Sequence, residues 1–126
     1  MNSPPKPHLP RRAPIDAYGK GGFRFAGMSH RGSLLCLPSG IWAWDVAVPD
    51  RIDADALAPV FAEARDIALL LIGTGAVPWP VPEALRWQLR DRRIVTEAMP
   101  TGAAVRTYNI VLGENRAVAA ALIAVE

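Results

Sequence analysis

A single cysteine, Cys36, stands in this 126-residue chain, and one thiol cannot close an intrachain disulfide. It alternates with Leu35 and Leu37 in a strand-like run, where a small buried hydrophobe is a better reading than a nucleophile. Histidine is nearly as scarce: His8 and His30 each lack a second ligand at metal spacing, so neither a structural metal nor another cofactor is expected. No apolar run approaches the roughly 20 residues that a membrane-spanning helix needs; Ile67 to Ile72 is typical. Charge of one sign is missing as well. Lys6, Arg11 and Arg12 stand without an acid in the first 14 residues, which leaves 11 basic against 12 acidic side chains in the rest. The basic cluster Arg86, Arg90, Arg92 and Arg93 is interrupted by Asp91 and reads as a solvated helix face, so nucleic acid is not an expected partner. Also lacking is any nucleophile–base pair. Glu97 and Tyr108 have acid–base chemistry available, but the simpler use of Glu97 is an ion pair with Arg106.

What is present is proline, glycine and alternation. Five prolines in the first 14 residues remove backbone donors and favour extended chain, so residues 1–14 are expected to be a disordered lead-in. Arg11-Arg12 is not followed by the apolar stretch of an export signal, and the prolines forbid an amphipathic presequence helix. A cytoplasmic location is the consequent expectation. Residues 15–126 then form a single domain. Phe23 to Ala26 and Ser33 to Leu37 flank Gly27 to Gly32 as a hairpin, and Ile41 to Trp44 continues as a strand with both indoles on one face. A helix capped by Asp53 or Asp55 follows, with Leu57, Val60, Phe61 and Ala64 at helical spacing. Ile67 to Ile72 reads as a central strand covered on both faces. Pro82 opens a second helix with the stripe Val81, Leu85 and Leu89, and Ile94 to Glu97 is a short strand. A third helix runs from Thr101 to Leu112, closed by Gly113 in a left-handed conformation, before a last strand over Val118 to Val125. The fold class is α/β: an N-terminal β-hairpin, then alternating helices and strands, giving a central mixed sheet packed by helices.

Two places carry chemistry worth testing. At 100° per residue Gly102, Arg106, Asn109 and Gly113 share one narrow stripe of the third helix, so a cation and an amide lie between glycines that permit close approach. That stripe holds either the protein's own loop or a ligand. Gly73-Thr74-Gly75 ends the central strand, and glycines at such an exit are either a tight turn or an anion-binding loop. Gly73, Thr74, Gly75, Arg106 and Asn109 are therefore the candidate ligand-binding set. Arg106 is expected to be buried and paired with Glu97 or with the Gly73 to Gly75 loop. The second place is aromatic: Trp79 in the rigid Pro78-Trp79-Pro80 loop and Trp87, about 200° from Leu85 on its helix, form a candidate face for a protein partner or a second copy of the chain.

Several of these segments together resemble a known family. Tyr18-Gly19 with Gly21-Gly22-Phe23-Arg24, Leu71 to Gly75, Glu97 with Met99 and Thr101, Ala103-Ala104 with Arg106 to Asn109, and Glu114 with Arg116 and Val118 to Leu122 occur in order. The chain resembles the domain-of-unknown-function 498 family over roughly residues 15 to 125. The resemblance implies a compact α/β fold with a central mixed sheet. Through the family's mitochondrial branch, it also implies a non-catalytic, assembly-factor-like role linked to respiratory complex I. Arg93 departs from the pattern, which has glycine before isoleucine at that helix end. A side chain in a left-handed position costs about 1 kcal/mol, so a different helix ending is expected here.

Overall fold

Alternation of side chains in the strands divides the molecule into layers. In the computed structural model, which describes residues 6–126, eight strands and three α-helices follow in the order β1 (Ala17–Gly19), β2 (Gly22–Phe25), β3 (Met28–Arg31), β4 (Ser33–Leu37), β5 (Gly40–Trp44), α1 (Ala58–Ala62), β6 (Leu69–Gly73), α2 (Glu83–Asp91), β7 (Val95–Met99), α3 (Thr101–Gly113) and β8 (Val118–Leu122). The main sheet has the order β5-β4-β8-β6-β7 and the small one β1-β2-β3. β6 runs parallel to both β7 and β8, while β4 is antiparallel to β5 and β8. The main sheet is therefore mixed. Successive residues point to opposite faces: Leu35, Leu70, Ile72, Ala119 and Ala121 meet the side of α1 and α2, whereas Leu34, Cys36, Leu71, Ala120 and Leu122 meet α3 and the small sheet. β8 occupies the middle, and its alanines leave space there for the fully buried ring of Tyr108.

The N-terminal strands pair differently from the expected hairpin. Phe23 to Ala26 does not pair with Ser33 to Leu37; β2 turns back immediately onto β3, with Phe25 opposite Met28. Ala26 and Gly27 both have positive φ, 50° and 77°, the backbone of a two-residue turn whose twist matches that of the flanking strands. Residues read as a loop, Met28 to Arg31, are thus a strand. β4 pairs instead with β5 and β8, and the two runs meet through Phe23, Phe25, Leu34 and Cys36 across the core.

The lead-in also differs. Residues 1–5 lie outside the described residues, but from His8 onward the segment is docked. The amide of His8 donates to Ile41 O at 2.8 Å, that of Ile41 donates to Leu9 O at 2.9 Å, and Ala13 and Ile15 are buried. Arg12 donates to the carbonyls of Arg116 at 3.2 Å and Val118 at 3.5 Å. Proline removes its own donor but leaves its neighbours free to pair, and here the non-proline residues do so.

Helix ends show where local chemistry was misplaced. α1 begins without a side-chain cap, because Asp53 accepts instead from the Ala56 amide at 2.8 Å, just before the helix. Gly113 remains inside α3, and the left-handed residue after it is Asn115. Arg93 keeps φ at 62° despite its side chain. Its amide donates to Arg90 O at 2.8 Å and that of Ile94 to Leu89 O at 3.0 Å, the paired closure of a Schellman motif. Contact between buried Leu89 and Ile94 in one core cluster accompanies it.

Candidate functional site

The polar stripe of α3 is occupied by the protein's own backbone. Asn109 Oδ1 accepts from the Ile15 amide at 2.9 Å and its Nδ2 donates to the Ile15 carbonyl at 2.8 Å, so the amide reads one extended residue as a neighbouring strand would. Gly102 leaves room for the half-exposed Tyr18 ring of the same segment. A Cβ there would lie 2.9 Å from Cζ of the Tyr18 ring, closer than packing allows. Gly113, by contrast, has open space around it. Gly102 and Asn109 thus clamp residues 15–18 onto the helix.

Arg106, between them, is exposed. Among the described residues it forms neither a hydrogen bond nor an ion pair, and Glu97 is exposed as well. The expected burial and pairing of Arg106 does not occur, because Asn109 and Gly102 already hold the chain that lies on this face. Arg106 borders a shallow depression with Asp16, Tyr18, Val105 and Asn109.

Gly73, Thr74 and Gly75 are buried, and they are stitched to the start of α3. The Thr101 amide donates to Gly75 O at 2.9 Å, the Gly75 amide donates to Thr101 Oγ1 at 3.0 Å, and that hydroxyl donates to Ile123 O at 2.7 Å. Thr74 sends its amide to Met99 O at 2.9 Å and its hydroxyl to Val77 O at 2.7 Å. Gly73 is tight for the same reason: a Cβ would stand 3.1 Å from Thr101 Cα. The loop joins three elements, and the structure does not bring it together with Arg106 and Asn109 into one set of convergent groups.

Tyr108 and Cys36 face each other in the core. Burial pushes the thiol up to about 12, partly offset by its hydrogen bond to Tyr108. The phenol is pushed upward too, by burial and then by neighbouring Cys36, with Arg12 opposing. Both stay protonated at neutral pH and neither is poised as a base or a nucleophile. His8 and His30 are brought together, with ring centroids 4.5 Å apart, and His30 Nε2 lies 3.2 Å from Ser33 O. Burial, then the charge of His8, lowers the pKa of His30. Among the described residues no cluster of three or more metal-ligating side chains forms.

The two tryptophans separate. Trp79 is half-buried against the core that includes Val81 and Leu85. Trp87 is 53% exposed, with the Arg90 guanidinium 5.2 Å from its ring centroid, a cation–π arrangement. Of the proposed aromatic pair, Trp87 is the exposed member and Trp79 the half-buried one. Sequence reasoning missed the docking role of Arg12 and the strap around it. The signal was the apolar series Leu9, Ala13 and Ile15 hidden among prolines.

Comparisons with known proteins agree with this architecture. The family described as protein of unknown function (DUF498/DUF598) matches residues 15–123. An uncharacterized protein of Rhodobacter capsulatus is 38% identical, over 96% of this chain and 92% of its own. The NADH dehydrogenase [ubiquinone] 1 alpha subcomplex assembly factor 3 of Danio rerio is 31% identical over 86% of this chain and 63% of its own length, so this chain spans about three-fifths of that assembly factor. The solved structure of an outer membrane protein from Bartonella henselae superposes with a TM-score of 0.91 at 55% identity, covering 94% of this chain and all of that one. Among the described residues no helix is long and apolar enough to cross a membrane.

Proposed function

Because the chain belongs to the DUF498/DUF598 family, we propose that it is a non-catalytic, cytoplasmic protein-interaction module that assists assembly of a respiratory NADH dehydrogenase. The observation that carries this reading is the fate of the polar groups that a small ligand would need. Asn109 is committed to Ile15 and the Gly73 to Gly75 loop to Thr101, Met99 and Val77. Chemistry-bearing groups serve internal docking, while Trp87 and the arginines of α2 stand outside. Exposed tryptophan and arginine are the residue types that anchor protein interfaces. Relatives named as assembly factors support the same direction.

The test uses a bacterium deleted for its own family member. Expression of this chain should restore the level of assembled NADH dehydrogenase on native gels, and the tagged chain should co-purify with subunits of that enzyme from the cytosolic fraction. Trp87→Ala should weaken capture at least several-fold while leaving the melting temperature nearly unchanged, since the indole is exposed. Trp79→Ala is unsuitable because that indole packs on the core. Unchanged enzyme levels in the deletion strain would remove the assembly role. A metabolite that raises the melting temperature of the wild-type chain but not of Arg106→Ala would favour the alternative, an anion-binding domain built on exposed Arg106.

A further inference from the structure

A sheet has two edges, and this one treats them differently. At β5 the edge is closed by the chain itself, through the paired bonds between His8, Leu9 and Ile41. Gly40 accommodates the strap, since a Cβ there would lie 3.1 Å from Leu9 C. β7, at the other edge, pairs among the described residues only with β6. The Val95 amide donates to Ala68 O and the Met99 carbonyl accepts from Thr74, so residues 95, 97 and 99 turn their backbone groups inward. By alternation Thr96 and Ala98 turn theirs outward. Arg86 Nη1, 3.0 Å from Thr96 O, confirms that direction. The Thr96 hydroxyl is buried without a hydrogen-bond partner among the described residues.

On the α2 side the surroundings of this edge are basic, whereas the opposite face of β7 carries exposed Val95 and Glu97. Arg86, Arg90 and Arg93 border one depression with Ile94, Val95 and Thr96, Val95 is 62% exposed, and Trp87 lies under Arg90. A strand edge without a partner strand is a template for another strand, and here it is opened by moving Arg86, which caps the Thr96 carbonyl while Thr96 itself is 4% exposed. We propose that the β7 edge docks an extended acidic segment of a partner protein as a sixth strand, its backbone meeting Thr96 and Ala98 and its carboxylates meeting the three arginines. Charge decides against a second copy in this position. Two-fold pairing of β7 with itself keeps both α2 helices on one face of the joined sheet and sets arginines against arginines. Bidentate arginine–carboxylate pairing supplies the specificity, and Arg86 exchanges the Thr96 carbonyl for the incoming acid. The proposal rests on the protein-interaction reading and names its surface.

The experiment titrates the isotope-labelled full chain with a synthetic peptide of alternating glutamate and valine, and separately with its lysine–valine counterpart. The acidic peptide should shift the amide resonances of Thr96 and Ala98 and slow their hydrogen exchange, binding at least ten-fold more tightly than the basic one. Charge reversal by Arg86→Glu, Arg90→Glu and Arg93→Glu, all at exposed positions, should invert the preference. Ala98→Pro removes an outward donor and should abolish binding; if that variant unfolds, the charge-reversal inversion decides alone. Equal binding of both peptides, shifts centred away from β7, or protection of Thr96 and Ala98 by self-association without peptide would overturn the proposal. Peptide binding with no effect on NADH dehydrogenase assembly would remove the assembly reading and keep the surface. Capture of the enzyme's subunits without peptide binding at β7 would do the reverse.

Discussion

Two neighbours on α3 behave oppositely for a reason visible in their contacts. Asn109 supplies both partners of the Ile15 backbone, so Asn109→Ala should cost about 1–3 kcal/mol by leaving that amide and carbonyl unsatisfied. Arg106 supplies none, and Arg106→Ala should change stability by no more than about 0.5 kcal/mol. Urea titration of the two variants checks the order, and a larger loss for Arg106 would mean that it is paired. Arg93 is the third informative residue. It holds a left-handed backbone with a side chain attached, and Arg93→Gly should raise stability by about 0.5–1 kcal/mol, the relief exceeding the entropy that glycine adds to the unfolded chain. A midpoint shift to lower urea would show that the Arg93 side chain stabilises this corner in some other way.

At the scale of elements, the strap over β5 is held at its tip by histidines. Across the pair, the groups facing His30 are His8 on the strap and the Ser33 carbonyl and Gly32 at the start of β4. Burial and then His8 depress the pKa of His30, so the unfolded or undocked chain binds its proton more readily than the docked one. Stability from this contact is therefore complete above the ordinary histidine range near pH 6.5 and falls as pH drops through it. Hydrogen exchange at the His8 and Ile41 amides, corrected for intrinsic rates, should accelerate relative to the β8 core between pH 7 and 5. His30→Gln should abolish that difference. An equal pH response in wild type and variant would assign the change to another group. The helices themselves were legible because their stripes repeat: Val81, Leu85 and Leu89 are buried as their spacing requires. The partner of β2 was not legible, since Met28 to Arg31 is polar and only the backbone of the Ala26-Gly27 turn makes it a strand.

For the whole molecule, the two cores on either side of the main sheet make Cys36 a reporter of global opening. It is fully buried in the middle of the α3-side core, with its pKa pushed up to about 12. A thiol there reacts only when the fold opens. Labelling by a disulfide reagent at pH 8 should proceed with the free energy of global unfolding, and Asn109→Ala should speed it by about 5- to 150-fold, matching its loss of about 1–3 kcal/mol. Labelling much faster than exchange of the slowest β8 amides would reveal a local path to the core between the small sheet and α3.

From β4 onward the order of elements and the faces of the strands were contained in the sequence, as was the family, because periodicity records which side of an element avoids water. Leu71 opposed to Leu70 and Ile72 needs no coordinates to predict. Tertiary structure alone decided what the polar residues touch. Asn109 and Ile15 are 94 positions apart, and a stripe that must hold something polar does not specify whether a ligand or distant backbone fills it. The same holds for the edges of the sheet: the strap that seals β5 is drawn from residues whose proline content argued for freedom, while β7 has no strand beyond it among the described residues and is covered at Thr96 by the Arg86 side chain. Hydrogen bonds between remote segments depend on how layers close in space, and no local period carries that information.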